Sequence, residues 1–202
     1  ELFPNMSSMM KVEEHARGFI AGRALNSGIQ NMLFASCRSA EDVRQCISTI
    51  RTETPEDGGS HGCSLSRHVE YGLWVGSQEW IEACREVVVA IMIEKQVAME
   101  HLDEMLSVEG VDMVQFGPAD YSISTGHPWQ PNRVELQKAH EAMIELALKK
   151  GVAPRVEVMT VDDAKPFWET GVRHFCIGWD VFTMSNWCRE QGTAWKGLLS
   201  TG

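Results

Sequence analysis

"VVVAIMIEKQVAMEHLDEMLSVEGVDMVQFGPAD", residues 87–120, contains two apolar runs, each followed closely by an acid, with a stretch of helical composition between them. Residues 87–93 carry no polar side chain, the pattern of a strand buried on both faces of a parallel sheet rather than of a strand with one wet face. "KQVAMEHLDEML" then reads as helical, and "VDMVQFG" as a second buried strand. Strand, helix and strand in this order make a βαβ unit, and the C-terminal ends of its parallel strands lie on one rim. Glu94 and Asp120 fall at those two ends.

The same alternation extends in both directions. Upstream, residues 11–26 have helical composition and stop at "NSG". "IQNMLFAS" (29–36) reads as a strand, and "SAEDVRQCISTI" starts a helix with Ser39 as N-cap and Asp42 three residues later. The loop "RTETPEDGGSHGCSLSRHVEYGLW" follows, then a short helix at "SQEWIEACRE". Downstream, "RVELQKAHEAMIELALKKG" is a helix closed by Gly151, "APRVEV" a strand, "TVDDAKPFWETG" a capped helix and "RHFCIG" a last strand. A Trp-rich tail (181–202) ends the chain, with Trp187 and Trp195 in it and Trp179 just before.

Five strands alternating with helices specify an α/β fold with a parallel sheet, either open and doubly wound or part of a (β/α)8 barrel. Both architectures bind ligands at the C-terminal rim. By count, five units in 202 residues suit the open sheet. The chain does not begin with Met, and "ELFP" reads like the end of a strand, so a segment upstream of Glu1 is expected.

With 202 residues, 44% of them hydrophobic, and no linker-like stretch, the chain is expected to form one domain, 1–202. A formal charge of −10 without a run of Lys or Arg argues against nucleic acid as a partner. No 18-residue apolar run or signal-peptide pattern appears, which predicts a soluble protein and no membrane partner. Six cysteines without a C-x-x-C pair read as reduced, buried thiols of a cytoplasmic protein.

Two acids on one rim, with no basic run beside them, form a donor set for a hard divalent ion such as Mg2+ or Mn2+, completed by water and substrate oxygens. They would serve equally as solvated loop acids or as residues of helix first turns. In "GPADYSISTG", Gly117 permits close backbone approach, and the amides of Ala119 and Asp120 form a nest suited to a carboxylate or phosphate. His61 and His68 read as exposed loop residues, and His127 and Trp129 as loop punctuation. Arg155 and Glu157 share one face of their strand and form an internal ion pair in this reading. Cys176 reads as a small core residue.

These residues carry a family resemblance. "IMIEKQVAMEHLDEMLSVEGVDMVQFGPADYSISTGHP" closely resembles the HpcH/HpaI aldolase family, and "SAEDVRQCISTIR", "APRVEV" and "HFCIGWD" follow in the family's order, over roughly residues 20–182. The resemblance implies a (β/α)8 barrel, here lacking most of its first three strand-helix units. It implies Glu94 and Asp120 as ligands of Mg2+, Mn2+ or Co2+, and the backbone at Gly117, Ala119 and Asp120 as the seat of the pyruvate carboxylate. The family's catalytic base and substrate-binding Arg would lie upstream of Glu1. Where relatives carry an Arg-Gly pair, this chain reads His61-Gly62.

The function implied is that of a class II aldolase, a carbon-carbon lyase that joins or releases pyruvate or a related 2-oxo acid and an aldehyde through a metal-stabilised enolate, with 4-hydroxy-2-oxo acids as the joined substrates. Lys95, next to Glu94, is expected to point to the opposite face if the strand continues. The resemblance also implies a homo-oligomer, a hexamer with exchanged C-terminal helices. A citryl- or malyl-CoA lyase would use similar acids but needs basic residues for CoA phosphates. From another class, a non-catalytic Mg2+-binding doubly wound regulatory domain would also place acids at strand ends.

Overall fold

A computed structural model describes residues 7–128, 130 and 133–200, with only the backbone of His68. The "ELFP" strand end and Trp129 lie outside the described residues. Contacts divide the chain into two compact units, residues 1–154 and 155–202.

The first unit opens with β1 (Met9–Val12), which is followed by α1 (Arg17–Asn26), β2 (Asn31–Phe34) and α2 (Ala40–Ser48). After a loop with one 3-10 turn at Arg67–Val69 come α3 (Gln78–Arg85), β3 (Val89–Ile93), the short α4 (Gln96–Glu100) and α5 (Leu102–Met105). β4 (Met113–Phe116), α6 (Pro118–Ser124) and α7 (Val134–Lys150) complete it. β1 pairs with β2, β2 with β3 and β3 with β4, all parallel and in chain order.

β2, β3 and β4 are buried at every position, as their continuous apolar runs require. Register sorts their side chains onto two faces. Lys11 stands beside Leu33, Leu33 beside Ala90 and Ala90 beside Met113, so these four share one face, and Met92 and Gln115 follow one step further along it. Leu33, Ala90, Met92 and Met113 pack there as a cluster. The opposite face carries Phe34, Ile91 and Ile93, all fully buried, and each contributes about 1.5–3 kcal/mol relative to exposure.

The helix signals are local. Ser39 Oγ accepts the amide of Asp42, and Ser77 Oγ that of Trp80, each meeting one of the donors a helix start leaves open. Gly151 ends α7 with φ 75°, a left-handed conformation that costs glycine nothing.

The second unit continues β5 (Ala153–Val158), which begins at the end of the first. It adds α8 (Val161–Glu169), β6 (His174–Ile177) and α9 (Asp180–Ser200). β5 and β6 are parallel. Along β5, Val156 and Val158 are buried while Arg155 and Glu157 share the half-buried face. Thr160 and Asp163 form a capping box at the start of α8. Every residue of α9 is exposed. No helix among the described residues is long and apolar enough to cross a membrane.

Two sequence expectations need correction. Six strands are present among the described residues rather than five, because Met9–Val12 forms a strand that overlaps the start of the stretch read as helix, residues 11–26. Pairing with β2 overrides the helical preference of Met and Lys there. "GPADYSISTG" also contains a helix, α6, with Pro118 in its first turn, where the missing amide costs nothing.

Candidate active site

Glu94 is the first residue past β3, and Gly117 the first past β4. Since Ile93 and Phe116 are register partners, the two lie side by side. The Glu94 carboxylate is 2% exposed, a burial that demands partners. Ser36, two residues past β2, supplies them: its amide and its hydroxyl donate to Glu94 Oε1 at 2.8 and 2.9 Å. Ser36 achieves this with φ 56°, a left-handed conformation that is uncommon outside glycine.

The second oxygen, Oε2, is left for other work. The ammonium of Lys11 stands 3.9 Å from it, a charge contact rather than a hydrogen bond, and also meets Glu13 at 3.2 Å. A Cβ at position 117 would lie 2.6 Å from Glu94 Cβ and 3.0 Å from Oε2. The close approach expected of Gly117 is thus an approach to Glu94.

Asp120 sits in the first turn of α6, with its side chain 53% exposed. The amides of Ala119 and Asp120 are the second and third of that helix, positions with no acceptor within the helix itself. The Asp120 carboxylate pairs with Lys95 Nζ at 3.3 Å. Lys95 was expected on the opposite face; β3 instead ends at Ile93, and Lys95 is the N-cap of α4, so strand alternation no longer governs it.

Two carboxylate side chains on neighbouring strand ends are oxygen donors that suit a hard divalent ion. Among the described residues no group of three or more His, Cys, Asp or Glu is gathered for one. Mg2+ commonly takes one or two carboxylates and fills its remaining positions with water and substrate oxygens. The chemistry of this donor set therefore fits such an ion.

Other sequence candidates lie elsewhere. His61 was read as an exposed loop residue, yet it is 8% exposed and stacks on Trp80 with centroids 6.2 Å apart. It also lines a cleft of about 390 Å3 with Gly18, Phe19, Arg23, Asn26 and Cys63, which none of the strand-end carboxylates borders. His127 is exposed, with Thr125 Oγ1 3.4 Å from its Nδ1. Within the second unit, Glu157 accepts the indole N–H of Trp179. The six cysteines are free thiols, but Cys63 and Cys188 are exposed rather than buried.

Sequence reasoning missed Lys11 and Ser36. Lys11 lies in the stretch read as helix, while Ser36 carries no motif of its own.

The chain is 29% identical over 158 residues to a 4-hydroxy-2-oxo-heptane-1,7-dioate aldolase of Escherichia coli (strain ATCC 8739), covering 78% of the chain and 59% of that protein. It is 28% identical over 164 residues to a 2-keto-3-deoxy-L-rhamnonate aldolase of Escherichia coli O9:H4, covering 81% of the chain and 60% of that protein. The chain thus spans about three fifths of the length of these two relatives. The crystal structure of an HpcH/HpaI aldolase from Desulfitobacterium hafniense DCB-2 superposes with a TM-score of 0.83 at 22% identity, over 95% of this chain and 73% of that one. The fold is accordingly α/β, that of a partial (β/α)8 barrel. A family model described as HpcH/HpaI aldolase/citrate lyase matches residues 3–186, most of the chain, and the chain belongs to the HpcH/HpaI aldolase/citrate lyase family.

Proposed function

We propose that the protein is a divalent-metal-dependent aldolase that forms or cleaves 4-hydroxy-2-oxo acids, with pyruvate or a related 2-oxo acid as one half and an aldehyde as the other. The observation that carries this reading is the junction of Glu94 and Gly117: a buried carboxylate with one oxygen held by Ser36 and the other turned toward a glycine and a lysine. A purely structural buried acid would have both oxygens satisfied by the fold.

In this reading Glu94 and Asp120 hold Mg2+, Mn2+ or Co2+. When bound, such an ion supplies positive charge at the keto and carboxylate oxygens of the 2-oxo acid. The chain's own residues do the rest. Ser36 holds Glu94 in orientation, Gly117 leaves space beside it, and the open amides of Ala119 and Asp120 receive the substrate carboxylate at the start of α6. Lys11 is the cation nearest Glu94 Oε2 and adds positive potential where the keto oxygen gains charge.

Two further parts of the reading concern the whole protein. α9 carries Val181, Met184, Trp187, Trp195 and Leu198 each more than 60% exposed, a large apolar load for one surface helix. This supports a homo-oligomer in which the C-terminal helix meets another subunit, a hexamer by the resemblance. The free thiols are consistent with a cytoplasmic setting.

The test is hydrogen exchange without an aldehyde. The full-length protein with Mn2+ is incubated with pyruvate in D2O, and the methyl signal is followed by proton NMR. Loss of the signal that is abolished in Glu94→Gln and in Asp120→Asn supports an enolising site. A signal that persists equally in all three proteins would reject the reading in favour of a binding domain.

A further inference from the structure

A pair of thiols begins one residue after Ser36, the partner of Glu94. Cys37 is in the loop joining β2 to α2, Cys46 is on α2, and both are fully buried. Their Sγ atoms are 3.8 Å apart. A disulfide bond measures about 2.05 Å, so the sulfurs need to close by about 1.8 Å.

The loop side of the pair is the side that matters. Cys37 is joined by one peptide bond to Ser36, the residue with φ 56° whose amide and hydroxyl both hold Glu94 Oε1. A pull on Cys37 toward α2 therefore acts on a backbone already in an uncommon conformation, and through it on the carboxylate. On the other side of the same segment, Arg17 Nη2 donates to the carbonyl of Ala35 at 2.5 Å, while its Nε is buried with no hydrogen-bond partner. The thiols are thus next to a guanidinium with spare donor capacity. Cys46 is held below the ordinary thiol range, first by its hydrogen bond with Cys37 and then, against the opposing effect of burial, by the charge of Arg17. A neighbouring cation favours the thiolate, the form that attacks a peroxide, while burial restricts the peroxide's access to it.

We propose that Cys37 and Cys46 are a redox pair that closes to an intramolecular disulfide when the protein meets a hydroperoxide, and that closure draws Ser36 away from Glu94. The second half of this proposal rests on the reading of Glu94 as a cation ligand; the first does not. The chemistry balances in two steps. The Cys46 thiolate attacks the peroxide oxygen, the O–O bond breaks, and the alkoxide or hydroxide leaves as alcohol or water, giving a sulfenic acid. Cys37 then attacks that sulfur and expels water. Two thiols and one hydroperoxide become one disulfide, one alcohol or water, and one further water. Because both sulfurs are buried, closure is expected to be slower than oxidation of the exposed Cys63 and Cys188. Transient disulfides of this kind are the form that cytoplasmic redox sensing takes.

The experiment treats the full-length protein with hydrogen peroxide, blocks remaining thiols with iodoacetamide, and maps tryptic peptides without reduction. Cys37 and Cys46 fall in separate peptides, residues 24–38 and 45–51, so the bond appears as a cross-linked pair. Mn2+ binding is then measured by calorimetry on the reduced, oxidised and dithiothreitol-treated protein. The expected result is the 24–38/45–51 cross-link with a loss of Mn2+ affinity of about tenfold, the scale typical of losing a ligand's outer hydrogen bonds, reversed by dithiothreitol. Cys46→Ser, or Cys46→Ala if the serine variant folds poorly, should show neither change, and Cys63→Ser/Cys188→Ser should show both. Recovery of Cys37 and Cys46 as alkylated thiols after Cys63 has been oxidised overturns the redox pair. A cross-link with unchanged Mn2+ affinity overturns the coupling to Glu94. If the reduced protein binds no Mn2+, the cation reading falls and the coupling with it, while the peptide map still decides the disulfide.

Discussion

The side chain that Gly117 lacks would begin 2.6 Å from the Cβ of Glu94. No real Cβ sits that close to another carbon, so the glycine is a condition for the position of the carboxylate. This places a backbone requirement just past β4 in the service of a side chain just past β3. The φ of Gly117 is −107°, open to any residue, so its reason for being glycine is space alone.

Gly117→Ala is therefore expected to fold and to misplace Glu94. The added methyl cannot be accommodated by a loop shift without breaking the 2.9 Å bond from the Gly117 amide to the Ile93 carbonyl. Mn2+ affinity should fall by about tenfold or more, since displacing a ligand costs at least as much as loosening its outer partners. Calorimetric titration with Mn2+ and far-ultraviolet circular dichroism together check this. Unchanged affinity in a folded variant would show that Glu94 moves aside freely and is no fixed ligand.

Lys95 gives a prediction of opposite sign. Its ammonium occupies Asp120 Oδ1 at 3.3 Å, the group proposed to hold the cation. A divalent ion must displace or share that contact, so the lysine competes for the carboxylate. Lys95→Met should tighten Mn2+ binding. Asp120 is more than half exposed, and an exposed ion pair contributes up to about 1 kcal/mol, so a gain of about two- to fivefold is expected. Weaker binding in the variant would mean that Lys95 orients Asp120 for the ion instead.

What could be read from the sequence follows from which interactions are local. β3 and β4 were legible because strands covered on both faces must be apolar throughout, and the positions of Glu94 and Asp120 beyond them because each acid follows such a run. The caps Ser39 and Thr160 and the stop at Gly151 were legible for the same reason: each acts within one turn. β1 was not, since Met and Lys suit a helix and only the edge of β2 makes "MMKV" a strand. The partners of Glu94 were hidden by the same logic. Ser36 and Lys11 reach it from 58 and 83 residues away, across a register that no local pattern announces. Lys95 was misplaced because strand alternation was carried two residues past the end of the strand.

The remaining prediction concerns acid stability and rests on His140, on α7. Its ring stacks on Phe116, the last residue of β4, with centroids 5.1 Å apart, and burial pushes its pKa down from the usual 6.5 to about 4. Between those values the unfolded chain binds a proton on this residue and the folded chain does not. Stability therefore rises with pH across the window and falls as pH drops from about 6.5 toward 4, with a slope of up to about 1.4 kcal/mol per pH unit. Asp57 acts in a different range. Arg85, with Thr52 and Thr54, holds its carboxyl at about 2 instead of 3.8, so the stability it contributes is present above 3.8 and is lost only as pH falls from there toward 2. The two windows do not overlap, and urea unfolding between pH 4.5 and 7 isolates the histidine. His140→Leu, which keeps an apolar side chain against Phe116, should flatten the slope over that range while leaving the loss of stability below pH 3.8 in place. Parallel slopes in the wild type and the variant would show that His140 carries its proton in the folded protein.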